Sequence, residues 1–428
     1  MKRAVGVILL AAAASATAAA QTTQQQQLAR EARTAYDAKD YVTFVAKTEQ
    51  AAKLAPADVW VLYNLACGQA LAGRRDEALK TLDTLAARKV RFDLDAEGDF
   101  ASLRGSADYR KVAERMKKLG DEKVSSSRVA FRIPEKGMVP EGIAYDSKTR
   151  AFFVSSIRKR KIVRVTPDGK ASDFVSSGRD GLRGVLGMRV DPAKRRLWAC
   201  TAAMSHMEGF REGQKPESAL LEFDVDSGKL VRERPLRVEP DPASCDDVAL
   251  GPDGSVYVND TAHPVLFVLK PGATDLETFI DNPDLGQPQG FAVSDDGKTV
   301  YVSNYRRVMA IDVESRKVSG VETPADFPPN GIDGLAYSRG ALYAVQNGIE
   351  PHRVVKMTLS ADGTRITAGR VLEMNNPLFD EPTLGIVANG AFYYVADSQG
   401  GKFRKSPKGV PESEQKEVVV LKAPVPEK

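Results

Sequence analysis

A six-residue phrase recurs six times between residues 140 and 388, and a chain that repeats one apolar pattern in phase has few folds open to it. The copies begin at Pro140, Val185, Cys245, Pro288, Ile332 and Thr383. Their third residue is Gly142, Gly187, Gly290, Gly334 or Gly385, with Asp247 in the remaining copy. A polar turn and a second apolar strand follow each one, as in Ala151 to Val154 or Thr299 to Val302. The third residues are spaced 45, 60, 43, 44 and 51 apart. A four-stranded antiparallel blade with its turns needs roughly 40–50 residues, so each spacing holds one blade and the pattern predicts an all-β six-bladed β-propeller. A β-sandwich, the rival all-β fold, gives no reason for six repeats in phase.

The long spacing marks an insertion between Ala202 and Ser218 that carries His206 and Met207, and loops of this length on a propeller often form part of a binding face. The last blade shows two strands, then a polar stretch from Gly400 to Gln415, then the apolar run Val418 to Leu421. Val129, Phe131 and Ile133 are therefore expected to supply its missing strand and close the ring, leaving no open sheet edge.

Residues 21–123 have no alternating pattern and instead show helical spacing of alanine, leucine and aromatic residues, broken at Pro56 and Gly73. Two segments superpose at a spacing of 34, with Phe44 on Ala78 and Ala51 on Leu85. That period resembles the tetratricopeptide (TPR) repeat, for about two repeats. Stacked arrays need about three units to stand alone, so this one is expected to lean on the propeller or on the tail from Phe100 to Lys118. It suits a structural role or the docking of a protein partner. Asp121 to Ser127 reads as the linker, giving a small all-α TPR-like domain at 21–123 and the propeller at 124–428.

The first twenty residues combine a basic start at Lys2-Arg3, a short apolar core and Ala18-Ala19-Ala20, the pattern of a cleaved signal peptide. The expected location is periplasmic or secreted, and the mature chain has no segment that would span a membrane. Cleavage removes two of the 61 basic residues and none of the 57 acidic ones, so the mature chain is close to neutral. The run Arg158 to Lys161 falls where a hairpin turn belongs, and nucleic acid is rejected as a partner. Cys67, Cys200 and Cys245 are too few and odd in number for a disulfide framework. A single Cys200–Cys245 bond is compatible with the count, but buried free thiols are the default expectation.

The first strand of each blade lines the central channel, so the residues before the repeated glycine should meet at one mouth. They are Glu141, Leu186, Asp246, Gln289, Asp333 and Leu384. Three carboxylates crowded there raise one another's proton affinity unless a cation neutralises them. All-oxygen donors suit Ca2+ or Mg2+, whereas three histidines with no zinc-motif spacing do not suggest a zinc site.

Pro140-Glu141-Gly142, Asp246-Asp247, Gln289-Gly290 and Asp333-Gly334 resemble the metal-site phrases of the SMP-30/gluconolactonase/LRE family, and residues 128–424 can be laid over its six blades. That resemblance implies a calcium- or zinc-dependent lactonase. In the family a glutamate of the first blade, an asparagine of the fourth and an aspartate of the fifth hold the ion, and a third-blade asparagine lies near the substrate. Glu141 and Asp333 match, Gln289 replaces one asparagine and Asp246 the other. The implied metal ligands are Glu141, Gln289 and Asp333. Asp333 or Asp246 would take the proton from the attacking water.

The expected function is hydrolysis of a small-molecule lactone or ester by an exported, metal-dependent enzyme. The alternative is a non-catalytic periplasmic scaffold or ligand-binding sensor. Ser156 to Lys159, a Ser-x-x-Lys pattern, heads a hairpin and not the helix that chemistry uses. Gly178, Gly181, Gly184 and Gly187 lack the lysine of a phosphate loop. Trp60 and Trp198 are expected in the core, and His263 and His352 on surface turns.

Overall fold

The computed structural model describes residues 24–213, 217–406 and 409–425. The signal-peptide reading therefore lies outside the described residues. Helix α1 (24–37) and α2 (Tyr41–Leu54) form one hairpin, and α3 (Val59–Leu71) and α4 (Arg75–Ala87) form a second, 34 residues on. Helix α5 (Ala107–Lys118) closes the array. Asp40, Asp58 and Ser106 cap α2, α3 and α5 by accepting from backbone N–H groups of the first turn. Gly68 has no side chain because the Phe44 ring of α2 occupies the place of its Cβ. None of the described helices is long and apolar enough to cross a membrane.

Six four-stranded antiparallel sheets follow. Their innermost strands are Ile143–Asp146, Gly184–Asp191, Cys245–Leu250, Phe291–Val293, Ile332–Ser338 and Gly385–Ala388, one per copy of the phrase. The ring closes as expected. Arg128–Lys136 is the outermost strand of the sixth blade and pairs antiparallel with Glu417–Pro424, with Phe131 opposite Val420 and Ile133 opposite Val418.

Close approach around the axis explains the repeated glycine. A Cβ on Gly142 would collide with the Leu186 carbonyl of the second blade, and one on Gly290 with the Asp333 carbonyl of the fifth. Gly290 N donates to that carbonyl at 2.6 Å, and Leu384 N donates to the Glu141 carbonyl at 3.3 Å, so neighbouring phrases are bonded directly. A side chain at Gly142 or Gly290 would push the neighbouring blades apart.

The helical unit does lean on the propeller. Ile349, in the connection between the second and third strands of the fifth blade, is buried in the same apolar cluster as Leu82, Leu85 and Phe100. Arg91 N donates to the Glu350 carbonyl at 2.7 Å, and Val124 pairs with Met374. The linker is docked as well. The amides of Ser126 and Ser127 donate to Glu373 Oε2 at 2.9 and 2.7 Å.

Two expectations change. Cys200 and Cys245 form a disulfide between the second and third blades, leaving only Cys67 as a free, buried thiol. Trp198 is core at 3% exposure, but Trp60 is 37% exposed on the face of α3 and packs edge-on against Phe92 at 5.3 Å. His263 and His352 do lie on turns, where His263 Nδ1 lies 2.7 Å from Asp260 and His352 Nε2 lies 3.3 Å from Glu350.

Candidate functional site

Each innermost strand begins at the same end of the channel, so the residue before the repeated position arrives there from every blade. A residue at or next to the end of the second strand fixes that phrase. Ser155 Oγ accepts from Gly142 N at 2.7 Å, and Ser303 Oγ donates to the Gly290 carbonyl at 2.9 Å. Buried Asn259 accepts from Asp247 N at 2.7 Å and donates to the Gln289 carbonyl at 2.6 Å. Backbone and side chain are thus interlocked around the mouth.

Glu141, Asp246 and Asp333 share one electrostatic environment. Burial raises the proton affinity of Glu141 well above the ordinary carboxylate range, and Asp333 and Asp246 raise it further. Asp246 is raised by burial first, then by Asp333. Asp333 is pushed up to about 7 by burial, against the opposing effect of Asn347, whose Nδ2 donates to Asp333 Oδ2 at 2.5 Å. Asn347 is itself fixed by donating to the Pro382 carbonyl at 2.9 Å. Leu186 and Leu384 fill two of the three remaining positions as buried apolar side chains. A mouth of three carboxylates, two leucines and one amide holds its charges at high potential.

Gln289 is 9% exposed, and its Nε2 donates to the Gln287 carbonyl at 3.4 Å, leaving Oε1 as the amide's free acceptor. No three carboxylate, imidazole or thiolate groups among the described residues form a ready cage for an ion. The expected ligand set needs only two carboxylates, Glu141 and Asp333, with the Gln289 oxygen. A hard divalent cation fits that donor chemistry, because it would offset the burial and the crowding that drive both carboxylates towards their neutral forms.

Further groups at the mouth belong to loops without a repeating pattern. Glu381, before the sixth innermost strand, accepts from Gly401 N at 2.5 Å and pairs with Arg404. Its charge acts on both Glu141 and Asp333. His206, on the long insertion, has a buried Nε2 without a hydrogen-bond partner. Its pKa falls to about 4 through burial and the charge of Arg404, so the ring is neutral at physiological pH. Tyr305 lies in the corresponding loop of the fourth blade, and burial, Asp333 and Asp246 hold its phenol protonated. Only His206 had been singled out from the sequence, as part of an insertion on the binding face.

The family model for the SMP-30/gluconolactonase/LRE-like region matches residues 139–370. Similar solved structures include a gluconolactonase from Xanthomonas campestris, 17% identical, with a TM-score of 0.46, covering 71% of this chain and 97% of that one. A PQQ-bound aldose sugar dehydrogenase from Streptomyces coelicolor is 16% identical with a TM-score of 0.43, over 69% of this chain and 97% of that one. Virginiamycin B lyase from Staphylococcus aureus is 10% identical with a TM-score of 0.44, over 69% and 99%. No curated protein matches. From the match across its blades, the chain belongs to the SMP-30/gluconolactonase/LRE-like family.

Proposed function

We propose that this protein is an exported, metal-dependent hydrolase of lactones or related esters. The observation that carries the reading is the convergence of Glu141, Asp246 and Asp333 at one mouth, where burial raises the proton affinity of all three and Asn347 orients Asp333. A buried carboxylate of raised proton affinity beside the ligand set, such as Asp246, is suited to taking a proton. Glu141, Gln289 and Asp333 would hold a divalent cation, Ca2+ by their oxygen chemistry and Mg2+ or Zn2+ as substitutes, which supplies Lewis-acid polarisation of a carbonyl.

The chain's own groups then do the following. The carbonyl carbon lies at the mouth, and a water oxygen attacks it while Asp246 or Asp333 takes the water proton. The acyl C–O bond breaks, and that proton passes to the departing alkoxide, which in a lactone stays on the same molecule. Arg404, paired with Glu381, adds positive charge beside the mouth where the oxyanion forms. The buried disulfide suits a periplasmic or secreted location, since such bonds persist in oxidising compartments.

Elemental analysis of the purified mature protein, together with a panel of lactones and aryl esters, tests this. About one divalent ion per chain is expected, lost in Glu141→Ala and Asp333→Ala along with turnover. Metal-free protein from metal-replete cells would remove the basis for the hydrolase. A bound ion without turnover of any panel member would favour a ligand-binding scaffold.

A further inference from the structure

The helical unit docks on the channel-mouth face. Asn330 and Ile349, its anchors on the propeller, lie in the connections that also carry the start of the fifth innermost strand and Asn347. Between α1–α3 and the fourth blade lies a cavity of about 700 Å³. That is within the usual roughly 300–1,000 Å³ of small-molecule sites. Its propeller wall includes Gln287 and Tyr305. Gln287 is two residues from Gln289. Tyr305 lies between two mouth residues along the backbone, because Ser303 accepts from Gln289 N at 2.8 Å and the Tyr305 carbonyl accepts from Gly331 N at 2.9 Å, two residues before Asp333. Tyr305 thus lines the cavity and also feels the charges of Asp333, Asp246 and Glu141.

The lining shows what would fit. Its charges are mostly answered within the wall. Tyr36 donates to Asp99 at 3.1 Å, Tyr63 to Glu97 at 3.1 Å, and Arg306 to Asp58 at 3.0 Å. Three arginines (Arg33, Arg306, Arg307) stand against four carboxylates (Asp58, Glu97, Asp99, Asp284) in the lining, so the charges nearly balance and no strong net charge selects an ion. The half-exposed ring of Tyr305 stands beside the amides of Asn64 and Gln287. An aromatic face beside amides and carboxylates suits a pyranose, whose C–H face stacks on the ring while its hydroxyls bond to the amides.

We infer that the helical unit supplies a distal subsite for a neutral, hydroxyl-rich (glycosyl) extension of the ligand whose acyl group sits at the channel mouth. The acyl assignment rests on the hydrolase reading, but the glycosyl subsite does not. The carbohydrate site would then be shared between two domains, with Tyr305 at the junction.

Calorimetric titration of the mature protein with maltotriose, cellotriose and chitotriose tests the subsite without any turnover. At least one should bind. Tyr305→Ala, which removes the platform, and Asn64→Trp, which fills the cavity from the exposed side of α3, should each weaken it about ten-fold. Glu141→Gln, at the mouth, should leave it within about two-fold. Failure of all three sugars to bind the wild type, or binding unaffected by both Tyr305→Ala and Asn64→Trp, overturns the subsite. Sugar binding that depends on Tyr305 and Asn64 in a protein that hydrolyses nothing would sink the hydrolase and keep the subsite.

Discussion

The amide of Asn347 donates to Asp333 Oδ2 at 2.5 Å, and this contact stabilises the charged form of a carboxylate that burial drives towards its neutral form. Asp333 therefore titrates near 7 in the folded protein against 3.8 ordinarily. Between those values the folded chain binds more protons than the unfolded one, so this group's contribution to stability falls as pH rises through the window. A hydrogen bond to a charged group is worth about 1.5–3 kcal/mol, or about one to two pH units. In metal-free protein Asn347→Ala should move the titration of Asp333 upward by about one unit, read from its carboxyl carbon by NMR. Adding Ca2+ to metal-free protein at about pH 6.5 should release protons. Calorimetry in buffers of different ionisation enthalpy reads that release, and an absence of proton release would separate Asp333 from the cation.

Asp58 is the most consequential residue of the interface between the two units. It caps α3 through Trp60 N at 2.9 Å and Val61 N at 3.3 Å, accepts from Asn330 Nδ2 at 2.9 Å, and pairs with Arg306. The Arg306 side chain is 52% exposed, so the ion pair itself contributes little. Buried Asn330 losing its partner and α3 losing its cap dominate, and Asp58→Ala should cost about 1–3 kcal/mol. The loss should appear in unfolding of the helical unit while residues 125–428, whose ring closes internally, unfold as in the wild type. A uniform shift of both transitions would show that the units are one cooperative body.

Much of the propeller was legible because its logic is repetitive. Glu141, Asp246, Gln289 and Asp333 fall at one point of a repeated phrase, and equal positions in a ring of blades must meet at its axis. The closing strand was readable for the same reason, since the sixth repeat lacked one. Asn347, Tyr305, Glu381 and Arg404 sit on connections whose length and sequence differ from blade to blade, so no periodicity marks them. The docking of the helical unit over the mouth depends on pairs such as Asp58 with Asn330, which lie far apart in the chain and share no pattern. The pairing of Cys200 with Cys245 likewise follows from blade adjacency, which three cysteines alone do not reveal.

The disulfide joins the second and third blades, with both sulfur-bearing residues fully buried. It closes a loop with a sequence separation of 45. Cross-links of this kind typically stabilise by about 2–4 kcal/mol. Cys200→Ala combined with Cys245→Ala should lower the guanidinium midpoint of the propeller accordingly, while Cys67→Ala should not reproduce the effect of losing a cross-link. Mass spectrometry showing three free thiols in protein recovered from an oxidising compartment would remove the bond and this prediction with it.

The substitution that most separates this chain from the lactonases it resembles is Gln289 in place of the fourth-blade asparagine, accompanied by Asp246 in place of the third-blade one. The extra methylene of Gln289 carries its amide oxygen further into the channel, while its nitrogen is engaged by the Gln287 carbonyl at 3.4 Å. A cation held by that oxygen would be drawn towards Asp246, whose charge already acts on Glu141. Asp246 would then join Glu141, Gln289 and Asp333 in holding the ion, leaving less room for a substrate carbonyl. Gln289→Asn together with Asp246→Asn should raise hydrolysis of sugar lactones by about ten-fold or more, since one methylene in a reacting site is worth about 1–3 kcal/mol. The natural pair should prefer a smaller carbonyl group. Kinetics of both proteins over one lactone and aryl-ester panel decide it: equal, zero activity in both with the ion still bound would leave a binding scaffold as the better account of the mouth.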